Sequence, residues 1–140
     1  MRILDRLQPL ALLVMRLALG AIMVSHGYQK ITNLHQTAGF MANLGIPHWL
    51  AYVSSCTEFF GGLLLLAGFF TRIAALGVCV DLIVAISKVH WHNGLRGSSG
   101  GPGYEFPLAA AALAFALIFF GAGSISLDHI LRGGSGFKRS

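Results

Sequence analysis

Four long apolar runs separated by short polar stretches set the pattern of this chain. The first extends from Leu10 to about Gly27 behind the polar residues Met1 to Gln8, the second from Leu50 to Phe70, the third from Ile73 to Val89 and the fourth from Phe106 to Gly123. A helix that crosses a bilayer needs about 20 mostly apolar residues, and each run meets or approaches that length. Lipid offers no water to unpaired backbone groups, so such runs must be helical. The expected fold is all-α: an integral membrane up-down bundle of four transmembrane helices, forming a single membrane domain over residues 1–140.

The connecting stretches refine this picture. Asn33 to Leu44 carries Leu34, Met41 and Leu44 at roughly helical spacing before Gly45 and Pro47, which predicts a short helix at the membrane surface. Trp49 and Tyr52 fall where an aromatic belt would begin the second span. The turn at Thr71-Arg72 is so short that the second and third spans must be antiparallel neighbours. Residues 90–105, rich in glycine and serine, predict an outer loop or lid, and Ser124 to Ser140 a surface turn with a mobile tail over 132–140.

Polar positions inside the spans matter most for function. In the first span Arg16, Gly20, Met23, His26, Gly27 and Lys30 share one stripe, and in the second Ser54, Glu58 and Gly62 recur every four residues. Asp81 sits mid-span in the third, with Lys88 on the same face. An ionisable side chain at the centre of a membrane costs about 2.5 kcal/mol or more, so these groups must turn toward partners or a cavity. Counting the helical rise from the span ends puts Arg16 roughly 9 Å and Asp81 roughly 12 Å above the same surface, which predicts a structural ion pair between them. The same count puts Glu58 roughly 18 Å up, in the outer half of the bundle. The candidate pocket residues are Arg16, His26, Lys30, Glu58, His90, His92 and Glu105, with Glu58 the best candidate for chemistry.

Composition agrees with a membrane protein: hydrophobic residues make up 55% and charged residues 11% of the chain, and the mean hydropathy is +0.70, against about 25% charged in soluble domains. The net charge of +5 does not point to nucleic acid, because the cations sit near span ends rather than in a basic patch. Arg2, Arg6, Arg72, Arg132, Lys138 and Arg139 fall on one side and Lys30, Lys88 and Arg96 on the other, which assigns both termini to the cytoplasm. Arg16 interrupts the first apolar run and argues against a cleaved signal peptide. Cys56 and Cys79 come out roughly 12 Å apart in depth, too far for a disulfide, and read as inert buried thiols. The glycine-rich loop lacks the GK[ST] of a phosphate-binding loop.

Four segments in order, RLALGAIMVSHGYQK, SSCTEFFGGLLLLAGFFTR, HWHNG with GGPGYEFPL, and GAGSISLD, resemble the DoxX family of small four-helix bacterial membrane proteins. The matching residues are Arg16, His26, Gly27, Lys30, Glu58, Gly61, Gly62, Gly68, Arg72, Glu105 and Asp128, while Asp81 is not part of that pattern. The resemblance implies a bacterial inner-membrane protein. Some relatives are subunits of a thiosulfate:quinone oxidoreductase, and others belong to membrane-attached redox assemblies. Three readings remain open: a quinone-linked subunit of a membrane oxidoreductase; a module that binds or passes a small solute, a proton or a metal; and a non-catalytic scaffold for a soluble enzyme. The implied partners are the lipid bilayer, a soluble or membrane redox partner and a second copy of the chain; no nucleic acid and no metal site are assigned, and quinone is the cofactor considered.

Overall fold

The computed structural model of the protein describes residues 1–133. After a short helix α1 (Arg2–Arg6), the chain forms α2 (Gln8–Thr32), α3 (Leu34–Asn43), α4 (His48–Ala67), α5 (Thr71–Ala85), α6 (Glu105–Phe120) and α7 (Leu127–Gly133). A π-helical turn over Ile86–His90 and a 3-10 turn over Trp91–Asn93 prolong α5, and the following loop folds into a minimal antiparallel hairpin, β1 (Gly97–Ser98) with β2 (Gly101–Pro102). Helices α2, α4 and the prolonged α5 are long and apolar enough to cross a membrane, and α6 is a shorter apolar helix of 16 residues. These four make the expected bundle: α2 packs on α4, α4 on α5, α5 on α6, and α6 returns to α2.

Span ends differ from the sequence expectation in instructive ways. Helix α2 continues past Gly27 to Thr32, because Gly27 is used for packing rather than as a stop. The segment after α6 is not a mobile tail from 132: Arg132 and Gly133 close α7, and residues 134–140, with Lys138 and Arg139, lie outside the described residues. Ser126 starts α7, its hydroxyl accepting from the His129 N–H at 3.1 Å.

Two backbones approach closely at the α2–α4 interface, and this sets the register of the bundle. A Cβ at Gly27 would run into the backbone N and Cα of Phe59, and one at Gly62 would stand 2.7 Å from the Val24 nitrogen. Small residues are what permit such contact between membrane helices. With Gly27 opposite Phe59 and Gly62 opposite Val24, the antiparallel register carries Lys30 onto Ser54 and Glu58. On the other side of α4, Thr57 lies against Gly77 and Gly61 against Val78, which brings Asp81 level with Ser54 and Glu58. Leu19, Met23, Leu65, Val78, Ala114 and Leu117 fill the centre, while Val14, Phe60, Leu63, Ile73 and Phe119 face outward as a lipid-facing surface must.

Candidate functional site

One polar cluster occupies the middle of the bundle. Lys30 Nζ donates to Glu58 Oε1 at 2.8 Å and to Ser54 Oγ at 3.3 Å. Glu58 is the eleventh of the 20 residues of α4, about 15 Å from either helix end. This count from the inner end is shorter than the sequence gives, because α4 ends three residues before the apolar run, while Lys30 stands third from the C-terminal end of α2. Asp81 of α5 faces Ser54, Glu58 and Lys30. Glu58 Oε2 and Asp81 Oδ2 are buried without a hydrogen-bond partner.

This cluster forms part of the wall of a groove of about 1230 Å³ running between α3, α4 and α5 up to the outer loop. Lys30, Ser54, Asp81, Lys88, His90 and His92 give it polar character, and Leu50, Val53, Ile73, Leu76, Val80 and Val84 line it with hydrocarbon. Val53, Ile73, Leu76 and Val80 are all at least half exposed, so the apolar stretch opens sideways toward lipid. The outer loop closes one end: His90 Nδ1 and Asn93 Nδ2 both lie on the Pro102 carbonyl, at 3.2 and 3.0 Å, and Trp91 stacks on Tyr104.

Among the candidate residues the structure pairs Lys30 with Glu58, sets His90 and His92 further along the groove that Lys30 lines, and leaves three elsewhere. His26 turns outward to pack on the Phe106 ring, centroids 5.6 Å apart, because it sits at the edge of the α2 stripe whose centre is Gly20, Met23 and Gly27. Glu105 is exposed in the first turn of α6 and does not line the groove. Arg16 makes no ion pair with Asp81. Its Nη1 donates to the Ala122 carbonyl at 2.7 Å, and Asp128 is the carboxylate whose charge it feels. Arg16 packs at the level of Gly68, beside the α4–α5 turn, whereas Asp81 lies ten residues or about 15 Å further along α5. Cys79 is buried against Ala111, but Cys56 points outward rather than into the core. Among the described residues, no three His, Cys, Asp or Glu side chains converge where a metal ion could sit.

Two features went unnoticed in the sequence. Asp81, read there as a partner for Arg16, belongs to the Lys30–Glu58 cluster. Asp128 caps α5 from 57 residues away, with Oδ1 accepting from the Phe70 N–H at 2.8 Å and Oδ2 from the Thr71 N–H at 3.0 Å. Phe70 holds the left-handed φ of +47°, a conformation unfavourable for a side-chain-bearing residue, and the carboxylate helps to fix it there. Partial burial would raise the Asp128 carboxyl, but these backbone donors, with the charge of Arg132, hold it below the ordinary carboxylate range.

The DoxX family profile matches residues 11–91, which carry α2 to α5 and so both sides of the cluster. "Putative oxidoreductase CatD" of Bacillus subtilis (strain 168) is 29% identical over 116 residues, covering 83% of each chain. "Inner membrane protein YphA" of Escherichia coli (strain K12) is 31% identical over 130 residues, covering 87% of this chain and 91% of its own. "Inner membrane protein YqjF" of the same organism is 34% identical over 71 residues, or 51% of this chain and 55% of its own. No solved structure gives a significant match. On the strength of the profile match and the near full-length likeness to YphA, the chain belongs to the DoxX family.

Proposed function

We propose that this chain is a redox-associated subunit of the bacterial inner membrane that receives a lipophilic carbonyl compound of quinone type in the α3–α4–α5 groove. The carrying observation is the make-up of that groove: hydrocarbon walls open to lipid, with an ammonium and a carboxyl along its wall and two imidazoles beside the outer loop. A quinone divides in the same way, into an isoprenoid tail and a head with two carbonyl oxygens. Lys30 would donate to a head-group oxygen while Glu58 holds it in place, and Asp81, His90 and His92 stand where protons are exchanged.

The name of CatD supports the redox part of this reading, and the names of YphA and YqjF support the inner membrane. Arg2, Arg6, Arg72 and Arg132 at the end of the α4–α5 turn, against Lys30, Lys88 and Arg96 at the other, support placing both termini in the cytoplasm. We take residues 1–140 to act as one membrane domain.

The test is photolabelling of the purified protein in nanodiscs with an azido derivative of a short-chain ubiquinone, followed by peptide mapping. Label should fall on the α4 and α5 walls, be displaced by unlabelled quinone, and need about tenfold more probe in Lys30→Met, which loses one charge-assisted hydrogen bond. Labelling elsewhere, or labelling that unlabelled quinone does not displace, overturns the reading.

A further inference from the structure

The cluster in the middle of the bundle holds one cation and two carboxylates. Lys30 comes from α2, Glu58 with the Ser54 hydroxyl from α4, and Asp81 from α5. Along the same groove α5 also presents Lys88, the outer loop presents His90 and His92, and α3 contributes the neutral Asn33, Gln36 and Thr37. Lys30 is engaged at 2.8 Å with Glu58 Oε1. That leaves one carboxylate oxygen on each acid, Glu58 Oε2 and Asp81 Oδ2, buried and without a donor. Two carboxylates facing one another in a low-dielectric interior do not both ionise when one cation is at hand. A proton is the donor that would serve them.

We propose that Glu58 and Asp81 hold one proton between them, forming an acid pair whose single negative charge is balanced by Lys30. Both orphaned carboxylate oxygens are then accounted for: the proton bridges the two acids, and Lys30 neutralises what remains. The two members have different exposure. Glu58 is buried behind Lys30, whereas Asp81 lies on the groove wall. Asp81 is therefore the member that exchanges the proton with whatever occupies the groove, gaining a negative charge when the proton leaves, while Glu58 stays ionised against Lys30 throughout. This deepens the ligand reading above and rests on it only for what the proton meets.

Infrared spectroscopy of the wild-type protein in lipid, without any quinone, decides the matter independently of that reading. The chain has five Asp and Glu residues. Asp5 and Glu105 are exposed, and Asp128 is held ionised by its donors. At neutral pH the spectrum should show one protonated carboxylic acid per chain by its carbonyl stretch, shifted in D2O, and losing it should take a single titration step. In both Asp81→Asn and Glu58→Gln the band should vanish at neutral pH, since the remaining acid then pairs alone with Lys30. In Lys30→Met it should persist to higher pH. Absence of the band in the wild type, or its survival in both single-acid variants, overturns the proposal. Retention of the band with failed quinone labelling would leave the acid pair standing and remove the ligand reading.

Discussion

Coupling between Lys30 and Glu58 offers the sharpest check on how the bundle is held. At their 2.8 Å separation the direct attraction is about 6 kcal/mol for an effective dielectric of 20. Removing Glu58, whose side chain is 6% exposed, from water gives back several kcal/mol of this. Lys30, at 26% exposed, keeps part of its hydration and loses less. The net lies between the limit of about 1 kcal/mol for exposed pairs and the 3 to 5 kcal/mol that breaking a buried pair costs, so we expect about 2 kcal/mol of coupling. Neutral hydrogen bonds between membrane helices reach about 1.7 kcal/mol at most, which sets the scale for a charged one. A double-mutant cycle over Lys30→Met, Glu58→Gln and the combined variant, read by unfolding with SDS in mixed micelles, measures it. The combined variant should be more stable than the sum of the single losses predicts by about 2 kcal/mol. Repeating the cycle in Asp81→Asn should increase the coupling, since Asp81 otherwise gives Lys30 a second carboxylate. Coupling below about 0.5 kcal/mol would refute the premise that this pair is desolvated and engaged.

Other expectations follow from the same contacts. Gly27→Val puts a branched side chain into the Phe59 backbone and should lower stability by about 3 kcal/mol, the upper end for overpacking, as a drop in detergent melting temperature; an unchanged melt would show that α2 and α4 are further apart. Asp128→Ala leaves the N–H groups of the cap residue Phe70 and of Thr71, the first residue of α5, without an acceptor and should cost about 1 to 2 kcal/mol at pH 7. Because the folded-state carboxyl is held low, its contribution is complete above the unfolded value near 3.9 and is lost as pH falls through the folded value. The melting difference between wild type and Asp128→Ala should therefore close on acidification, and a gap that stays constant would disprove the cap. Val80→Trp should fill the lipid-facing part of the groove, weakening quinone labelling without lowering the melting temperature, since Val80 is 53% exposed and its replacement displaces only lipid.

The four spans were legible because the bilayer imposes its thickness on any run that crosses it, and Lys30 and Glu58 were legible as members of one pocket, though not as each other's partner, because lipid makes an isolated charge so costly. Asp81 was assigned to Arg16 for a reason that counting along the chain cannot correct. Depth reckoned from the end of an apolar run assumes that all runs start at one plane, but α2 begins at Gln8, and Leu12 and Pro9 already touch Gly123 below the level of Arg16. The true partner of Arg16 is a backbone carbonyl, an acceptor every residue carries and which sequence therefore never singles out. His26 was misplaced by a smaller error, standing at the margin of a stripe whose middle was read correctly. The groove had no sequence signature, since Leu76, Val80 and Val84 look the same whether they face lipid or line a cavity.

The contact of Asp128 with the start of α5 also bears on the order in which the protein is made. Until Asp128 is made, 57 residues after Thr71, the α4–α5 hairpin lacks the acceptor for the two amide hydrogens at its tip and the contact that helps to fix Phe70 in its left-handed conformation. Only when Asp128 emerges from the ribosome is the hairpin finished. A chain released just before that residue should therefore carry a loosened tip open to proteases, and the 140-residue chain should not.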